Sequence, residues 1–388
     1  MHQAQLFDSF FMGGFECSTH RRQDGKRLDL IQSSGHERWA GNDYAQLAAA
    51  GITSVRDGLR WHLIEGQSGH YDWSSFLPML RAANAQGTQV IWDLSHYGCP
   101  EGLDIWRPEF VERFARFAAA AARVVREESD QIPFYSLVNE ISFWAWAGGD
   151  VGYFEPSARG RGTELKHQLV RASIAAIEAV RAVEPRARFV QTDPIINVIA
   201  DSPRQEDTAA AEEYRLSQFE AWDLLTGARW PGLGGKPDYL DIIGVNFYPH
   251  NQWLRSGGRI LRGDYRYRPL AGMLAETWRR YQRPILISET GWEGPERASW
   301  FKYVCEQATQ AMTRGVPIEG ICWYPILDYP GWDDDRHCPA GLFGYADGQG
   351  RRPADEALAL ELHAQQQHFA LLGNKPHAAL GVIGSECV

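Results

Sequence analysis

Two short apolar runs each end in a glutamate. Ser136-Leu137-Val138-Asn139-Glu140 and Ile285-Leu286-Ile287-Ser288-Glu289 share one pattern: an aliphatic stretch, a polar residue, then a carboxylate. An aromatic follows each, Phe143 in one case and Trp292 in the other. A lone glutamate at a strand end is usually a solvated or paired loop residue. Two of them, facing each other, are what glycoside hydrolysis requires. One carboxyl protonates the departing oxygen, and the other attacks the anomeric carbon or activates a water to do so. A separation of about 5–5.5 Å gives a covalent intermediate and retention; about 6.5–9.5 Å gives inversion. Ionised Glu289 disfavours charge on Glu140, which then stays protonated until it is needed. The expected roles are therefore general acid/base for Glu140 and nucleophile for Glu289.

Such a pair needs a scaffold that brings two strand ends together. Eight apolar, β-branched runs are candidate strands: Phe11–Cys17, Ile52–Asp57, Gln89–Leu94, Phe134–Glu140, Arg188–Asp193, Tyr239–Phe247, Pro284–Thr290 and Ile318–Tyr324. Helical periodicity fills most of the gaps, most clearly over Glu109–Glu127, and again over Leu165–Val183 and Ala298–Arg314. The pairs Ala50-Gly51, Gln86-Gly87 and Arg314-Gly315 put a helix-stopping glycine just before a strand. Strand–helix alternation implies a parallel sheet, and eight units imply closure into a (β/α)₈ TIM barrel. A doubly wound sheet is the rival, but Met12-Gly13-Gly14-Phe15 is not continued as a dinucleotide fingerprint. The expected organisation is one barrel domain over residues 1–370 and a C-terminal tail over 371–388. Glu140 and Glu289 end the fourth and seventh strands, at the mouth where barrel chemistry sits.

With these residues in view, the chain resembles the clan A glycoside hydrolases. Within that clan it is most like glycoside hydrolase family 1, the β-glucosidase/β-galactosidase family, over roughly Phe11 to Ala357. Val55-Arg56 with Trp61 looks like the second-strand pattern whose arginine contacts the nucleophile. Asp93-Leu94-Ser95-His96-Tyr97 is similar to the segment whose histidine binds the sugar. Asn139 matches the asparagine that reads the 2-hydroxyl. Gly244-Val245-Asn246-Phe247-Tyr248 resembles the motif whose last tyrosine bonds the nucleophile. Trp323 looks like the tryptophan that floors the sugar site, and Asp328 and Trp332 lie where the following loop lines it. The resemblance implies a β-linked carbohydrate or glycoside as substrate, retention, and no cofactor.

The chain also departs from the family's pattern. Ile141 stands where the family usually has proline after the acid/base. The nucleophile segment reads Ser-Glu-Thr-Gly-Trp. Gly331 replaces a glutamate that grips outer hydroxyls, and the glutamine for the same hydroxyls is not evident near Ser18–Arg21. The chain is short for the family, which implies a changed aglycone side. Trp144, Trp146, Tyr153, Trp222 and Trp253 either line that side or pack in the core.

Bulk properties exclude other classes. A formal charge of −10 argues against nucleic acid and provides no polybasic membrane anchor. No window is long and apolar enough for a membrane span, and the first residues lack a secretory pattern. Six well-separated cysteines without a CxxC pair fit reduced thiols, so a cytoplasmic location is expected. Asp333-Asp334-Asp335 reads as a solvated loop rather than a metal site, and no zinc or GxSxG motif occurs. Two further readings stand beside hydrolysis: transglycosylation through the same intermediate, and a non-catalytic sugar-binding barrel.

Overall fold

The computed structural model describes residues 6–373. Eight parallel strands close into a barrel in sequence order. They are β1 (Phe11–Gly14), β2 (Ser54–Gly58), β3 (Gln89–Ser95), β4 (Phe134–Val138), β5 (Arg188–Pro194), β6 (Ile242–Asn246), β7 (Ile285–Thr290) and β8 (Ile318–Trp323). β8 pairs with β1 through Phe11–Ile321 and Met12–Cys322, which completes the ring. The expected (β/α)₈ architecture is thus the observed one, with each predicted strand present and only its ends shifted.

The helices follow from their sequences. α1 (Pro108–Glu128) carries Phe110, Phe114, Phe117 and Ala121 on one buried stripe. It packs on α2 (Gly162–Val183), whose Leu165, Leu169, Ala172 and Ala176 are equally buried. α3 (Arg297–Thr313) buries Phe301, Val304 and Ala308, and the Phe301 ring meets Trp323 of β8. The three helix-ending glycines adopt positive φ, +76° at Gly51, +65° at Gly87 and +84° at Gly315, which side chains disfavour. The final helix runs over Glu356–Gly373, so the start of the expected tail is helical and residues from 374 lie outside the described part. No helix among the described residues is long and apolar enough to cross a membrane.

Inside the barrel, strand alternation sets which side chains face the axis. Met12, Ile91, Phe134, Val190, Ile242, Leu286 and Cys322 form an apolar layer, plugged from below by Phe7. Two residues further along each strand, towards the C-terminal ends, the inward positions turn polar: Asp93, Ser136, Thr192 and Ser288 are all buried. Gly244 is inward too, and a Cβ there would meet Ser288 Oγ and Thr192 Cγ2 at 2.7 Å. The filled apolar layer thus supports a polar one, and the site stands on that.

Candidate active site

Two local irregularities aim the two glutamates. β7 shifts register after Ile287 against both of its neighbours. A bulge of this kind re-aims a side chain. Ser288 and Glu289, although consecutive, both reach the barrel interior: Ser288 Oγ donates to Asn246 Oδ1 at 2.6 Å, and Glu289 meets Arg56. On β4 the device is different. Glu140 holds a left-handed φ of +46°, which turns the chain sharply into the short helix Ile141–Trp144. A non-glycine residue in that region stores strain of the kind found at functional sites.

Each carboxylate has its own donors. Glu289 Oε1 accepts from Arg56 Nη1 at 2.5 Å, and Oε2 accepts from the Tyr248 hydroxyl at 2.9 Å. Glu140 Oε1 accepts from Asn246 Nδ2 at 2.8 Å, and Oε2 from the Tyr97 hydroxyl at 2.6 Å. Both glutamates are buried and line one cavity of about 750 Å³ at the C-terminal ends of the strands. Burial pushes the Glu289 carboxyl up; the Arg56 charge opposes this and the Glu140 charge reinforces it.

Arg56 is the hub. Its Nε and Nη2 bond both oxygens of Asp93 at 2.9 and 2.6 Å, and Nη2 also reaches Asn139 Oδ1 at 2.7 Å. With no exposed surface it is locked as a fork, the geometry in which guanidinium binds carboxylate best.

Asn139 is saturated. Oδ1 takes Arg56 and the Thr192 hydroxyl, while Nδ2 faces His96 Nε2 at 2.9 Å and donates to the Tyr97 oxygen at 3.0 Å. It is fully buried behind the wall, so reading a 2-hydroxyl would require it to give up one of these bonds. His96 does line the cavity, but its Nδ1 meets Asp93 at 3.0 Å and its Nε2 meets Asn139.

Two expected residues are elsewhere. Trp323 points outward from β8, where its indole donates to Ala340 O at 2.9 Å and its ring meets Phe301. Gly320 and Cys322 face inward, so alternation sends the next inward position to Tyr324. Tyr324 lines the cavity, lies parallel to the His96 ring with centroids 5.9 Å apart, and sits 5.4 Å from the Arg56 guanidinium carbon. A Cβ on Gly14 would strike its ring at 2.2 Å, so that glycine makes room for it. Asp328 is likewise not a cavity residue. Its carboxylate is spent inside the β8 loop, on His337 Nε2 at 2.8 Å and the Gly341 amide at 2.9 Å. Trp332 does line the cavity, against Tyr97 and Phe143.

The sequence reading assigned no role to Tyr97, Asn246, Asp93, Tyr324 or Glu16. Glu16 is a third buried carboxyl in the cavity, and its Oε1 accepts from the Ser18 amide at 2.9 Å. Burial pushes it up, with the nearby His96 pulling the other way. Of the five tryptophans and tyrosines expected either to line the aglycone side or to pack in the core, Trp146 and Trp253 line the cavity. Trp144 and Trp222 are core residues, each 1% exposed, and Tyr153 is bonded to Asp333 at the surface.

Among the described residues, one set brings metal-type ligands together: Cys17, Asp93 and His96. Arg56 already neutralises Asp93 through both oxygens, and burial pushes the Cys17 thiol up. These groups form a hydrogen-bonded cluster beneath the site that fits a metal poorly. In the Asp333–Asp335 loop, Asp335 pairs with Lys26 at 2.6 Å.

No family model matches the chain, and no curated protein matches it in sequence. Solved structures do match it in shape. A β-glucosidase from Thermotoga maritima in complex with glucoimidazole superposes with a TM-score of 0.75 at 16% identity, over 93% of this chain and 98% of that one. The fold is that of the family 1 β-glucosidases. The Thermotoga maritima family 1 β-glucosidase gives the same TM-score of 0.75 at 15% identity, over 94% of this chain and 99% of that one. An enzyme from Alicyclobacillus herbarius called AHE gives 0.73 at 17% identity, over 95% and 100%.

Proposed function

We propose that the protein is a retaining β-glycosidase of the family 1 type, with Glu289 as nucleophile and Glu140 as general acid/base. The observation that carries this is the unequal provisioning of two carboxylates in one cavity. Glu289 is bonded by a guanidinium and a phenol, and Glu140 by a phenol and an amide. A fixed cation beside Glu289 favours the anion a nucleophile needs. Glu140 has no cation within ion-pair distance among the described residues, which suits a group that must hold a proton and then give it up.

In the first step Glu289 attacks the anomeric carbon while Glu140 protonates the departing oxygen. The positive charge that develops on the sugar lies against the anions of the site. In the second step Glu140 takes a proton from water, which displaces Glu289. Tyr248 holds one carboxylate oxygen, so Glu289 attacks from a single orientation.

A sugar-binding barrel without catalysis fits less well. Burying carboxylates carries a desolvation cost that mere recognition of hydroxyls does not require. Five described cysteines are free thiols, which fits the cytoplasmic location expected from the sequence.

The test is turnover of a panel of aryl β-glycosides by the parent, Glu289→Gln and Glu140→Gln. Glu289→Gln should lose activity by orders of magnitude on every substrate. Glu140→Gln should retain most on the most acidic leaving groups, which need least protonation. Unchanged rates in both variants would overturn the proposal.

A further inference from the structure

We infer that the sugar cleaved here carries an ammonium group on the side of its ring away from the anomeric carbon, and that Glu16 binds it. This rests on the glycosidase reading above. Glu140 must touch the departing oxygen, so the sugar that stays extends from Glu289 away from β4. In ring order β8 and β1 lie across from β4. Glu16, two residues beyond the end of β1, therefore faces the far edge of the retained ring.

Glu16 is fixed before any ligand arrives. Its Oε1 accepts from both the amide and the hydroxyl of Ser18, which is itself buried. The Ser18 carbonyl accepts from the Leu30 amide at 3.2 Å, and the Thr19 amide donates to His96 O at 3.2 Å, so the loop is tied on both sides. Oε2 has no hydrogen-bond partner among the described residues, although Glu16 is only 8% exposed and lines the cavity. A buried carboxylate oxygen left open is costly unless a ligand fills the place.

Charge decides which ligand group that is. Five carboxyl groups line the cavity, those of Glu16, Glu140, Asp150, Glu220 and Glu289, and among the described residues Lys166 is the one lysine or arginine that does. Lys166 is paired with Glu220 at 2.7 Å. Arg56 reaches Glu289 from beneath, but it also carries Asp93. Glu140 holds a proton in its acid role. Asp150 is exposed to solvent and accepts from the Gly162 amide at 2.7 Å. That leaves Glu16, buried and with no cation within ion-pair distance among the described residues. His96 cannot turn to it, because its two nitrogens are spent on Asp93 and Asn139. Burial and the Arg259 charge push the other cavity imidazole, His250, down towards its neutral form. A sugar hydroxyl could donate to Glu16 Oε2 but would leave the charge uncompensated. An ammonium brings both the donor and the opposite charge, and in a desolvated site that pairing is far stronger. Burial pushes the Glu16 carboxyl up, so the anion is held at a cost until such a cation arrives.

The test compares kcat/KM for 4-nitrophenyl β-glycosides of glucose and galactose with their 3-amino-3-deoxy and 4-amino-4-deoxy counterparts, at a pH where the amines are charged. One leaving group throughout keeps protonation by Glu140 out of the comparison. The parent should favour an amino sugar over its neutral counterpart by about tenfold or more. Glu16→Gln keeps an oxygen for Ser18 but not the charge, and should abolish that preference. The readout is the ratio of amino to neutral substrate, which a merely structural role would not move. Asp150→Asn should keep the ratio. A parent that prefers the neutral sugars, an unchanged ratio in Glu16→Gln, or a ratio lost in Asp150→Asn instead, would overturn the inference and leave the glycosidase reading standing. That reading fails by a different result: Glu289→Gln cleaving the panel as fast as the parent.

Discussion

The Tyr97 hydroxyl donates to Glu140 Oε2 at 2.6 Å and at the same time accepts from Asn139 Nδ2 at 3.0 Å. One phenol thus ties the proposed acid/base to the network that runs through Asn139 to Arg56 and Glu289. Burial and the adjacent Glu140 charge hold the Tyr97 hydroxyl in its protonated, donating form.

Replacing that hydroxyl tests its part in proton transfer. Tyr97→Phe should lower kcat/KM by about tenfold on glycosides whose leaving group needs protonation, as Glu140 loses its orientation, and by less on those with acidic leaving groups. An equal loss on both kinds of substrate would show that the bond is structural only.

Asp193 lies behind the acid/base. It is 1% exposed and accepts from the Ser142 amide at 3.1 Å and hydroxyl at 2.8 Å. Burial, with help from the Glu140 charge, pushes its carboxyl from 3.8 to about 8, against the Ser142 bonds and the Lys166 charge. Its folded pKa is raised, so its contribution to stability is greatest below about pH 4 and declines as pH rises towards 8. Asp193→Asn keeps an oxygen for Ser142 and has no charge to bury. The variant should gain in Tm relative to the parent as pH goes from 5 to about 8.5, checked by thermal unfolding across that range.

His36 shifts stability with pH in the same sense, but by holding a charge rather than by avoiding one. Its Nδ1 meets Asp43 at 2.8 Å and its Nε2 meets Asp57 at 2.9 Å, all fully buried. Burial alone would lower its pKa, but the two aspartates outweigh that and hold it at about 9, up from 6.5. The protonated ring therefore stabilises the fold fully below pH 6.5, and that contribution is lost as pH rises through about 9. His36→Gln should unfold well below the parent at pH 6, with the gap narrowing by about pH 10. A gap constant with pH would contradict a charged His36.

The barrel was legible because its strands are apolar, β-branched and punctuated by glycines that end helices. The two glutamates were legible because each closes such a run. What alternation could have given, and the resemblance displaced, is Tyr324. Gly320, Cys322 and Tyr324 share one face of β8 and Trp323 has the other, so inward parity was readable from Cys322 onward. At Glu289 the same rule fails, because the bulge after Ile287 sends consecutive residues inward. Asp328 was beyond reach for another reason: its partners, His337 and Gly341, come from an aperiodic loop whose path no local pattern fixes.

The claim that Glu289 forms a covalent bond to the sugar is tested most directly by trapping it. The protein is incubated with an aryl 2-deoxy-2-fluoro-β-glycoside, which slows both steps but spares an activated leaving group. Intact-mass and peptide mass spectrometry then locate the label. We expect one fluoroglycosyl group per chain, on the peptide carrying Glu289, and none in Glu289→Gln. A substrate turned over without any adduct, or an adduct on another carboxylate, would contradict the assignment.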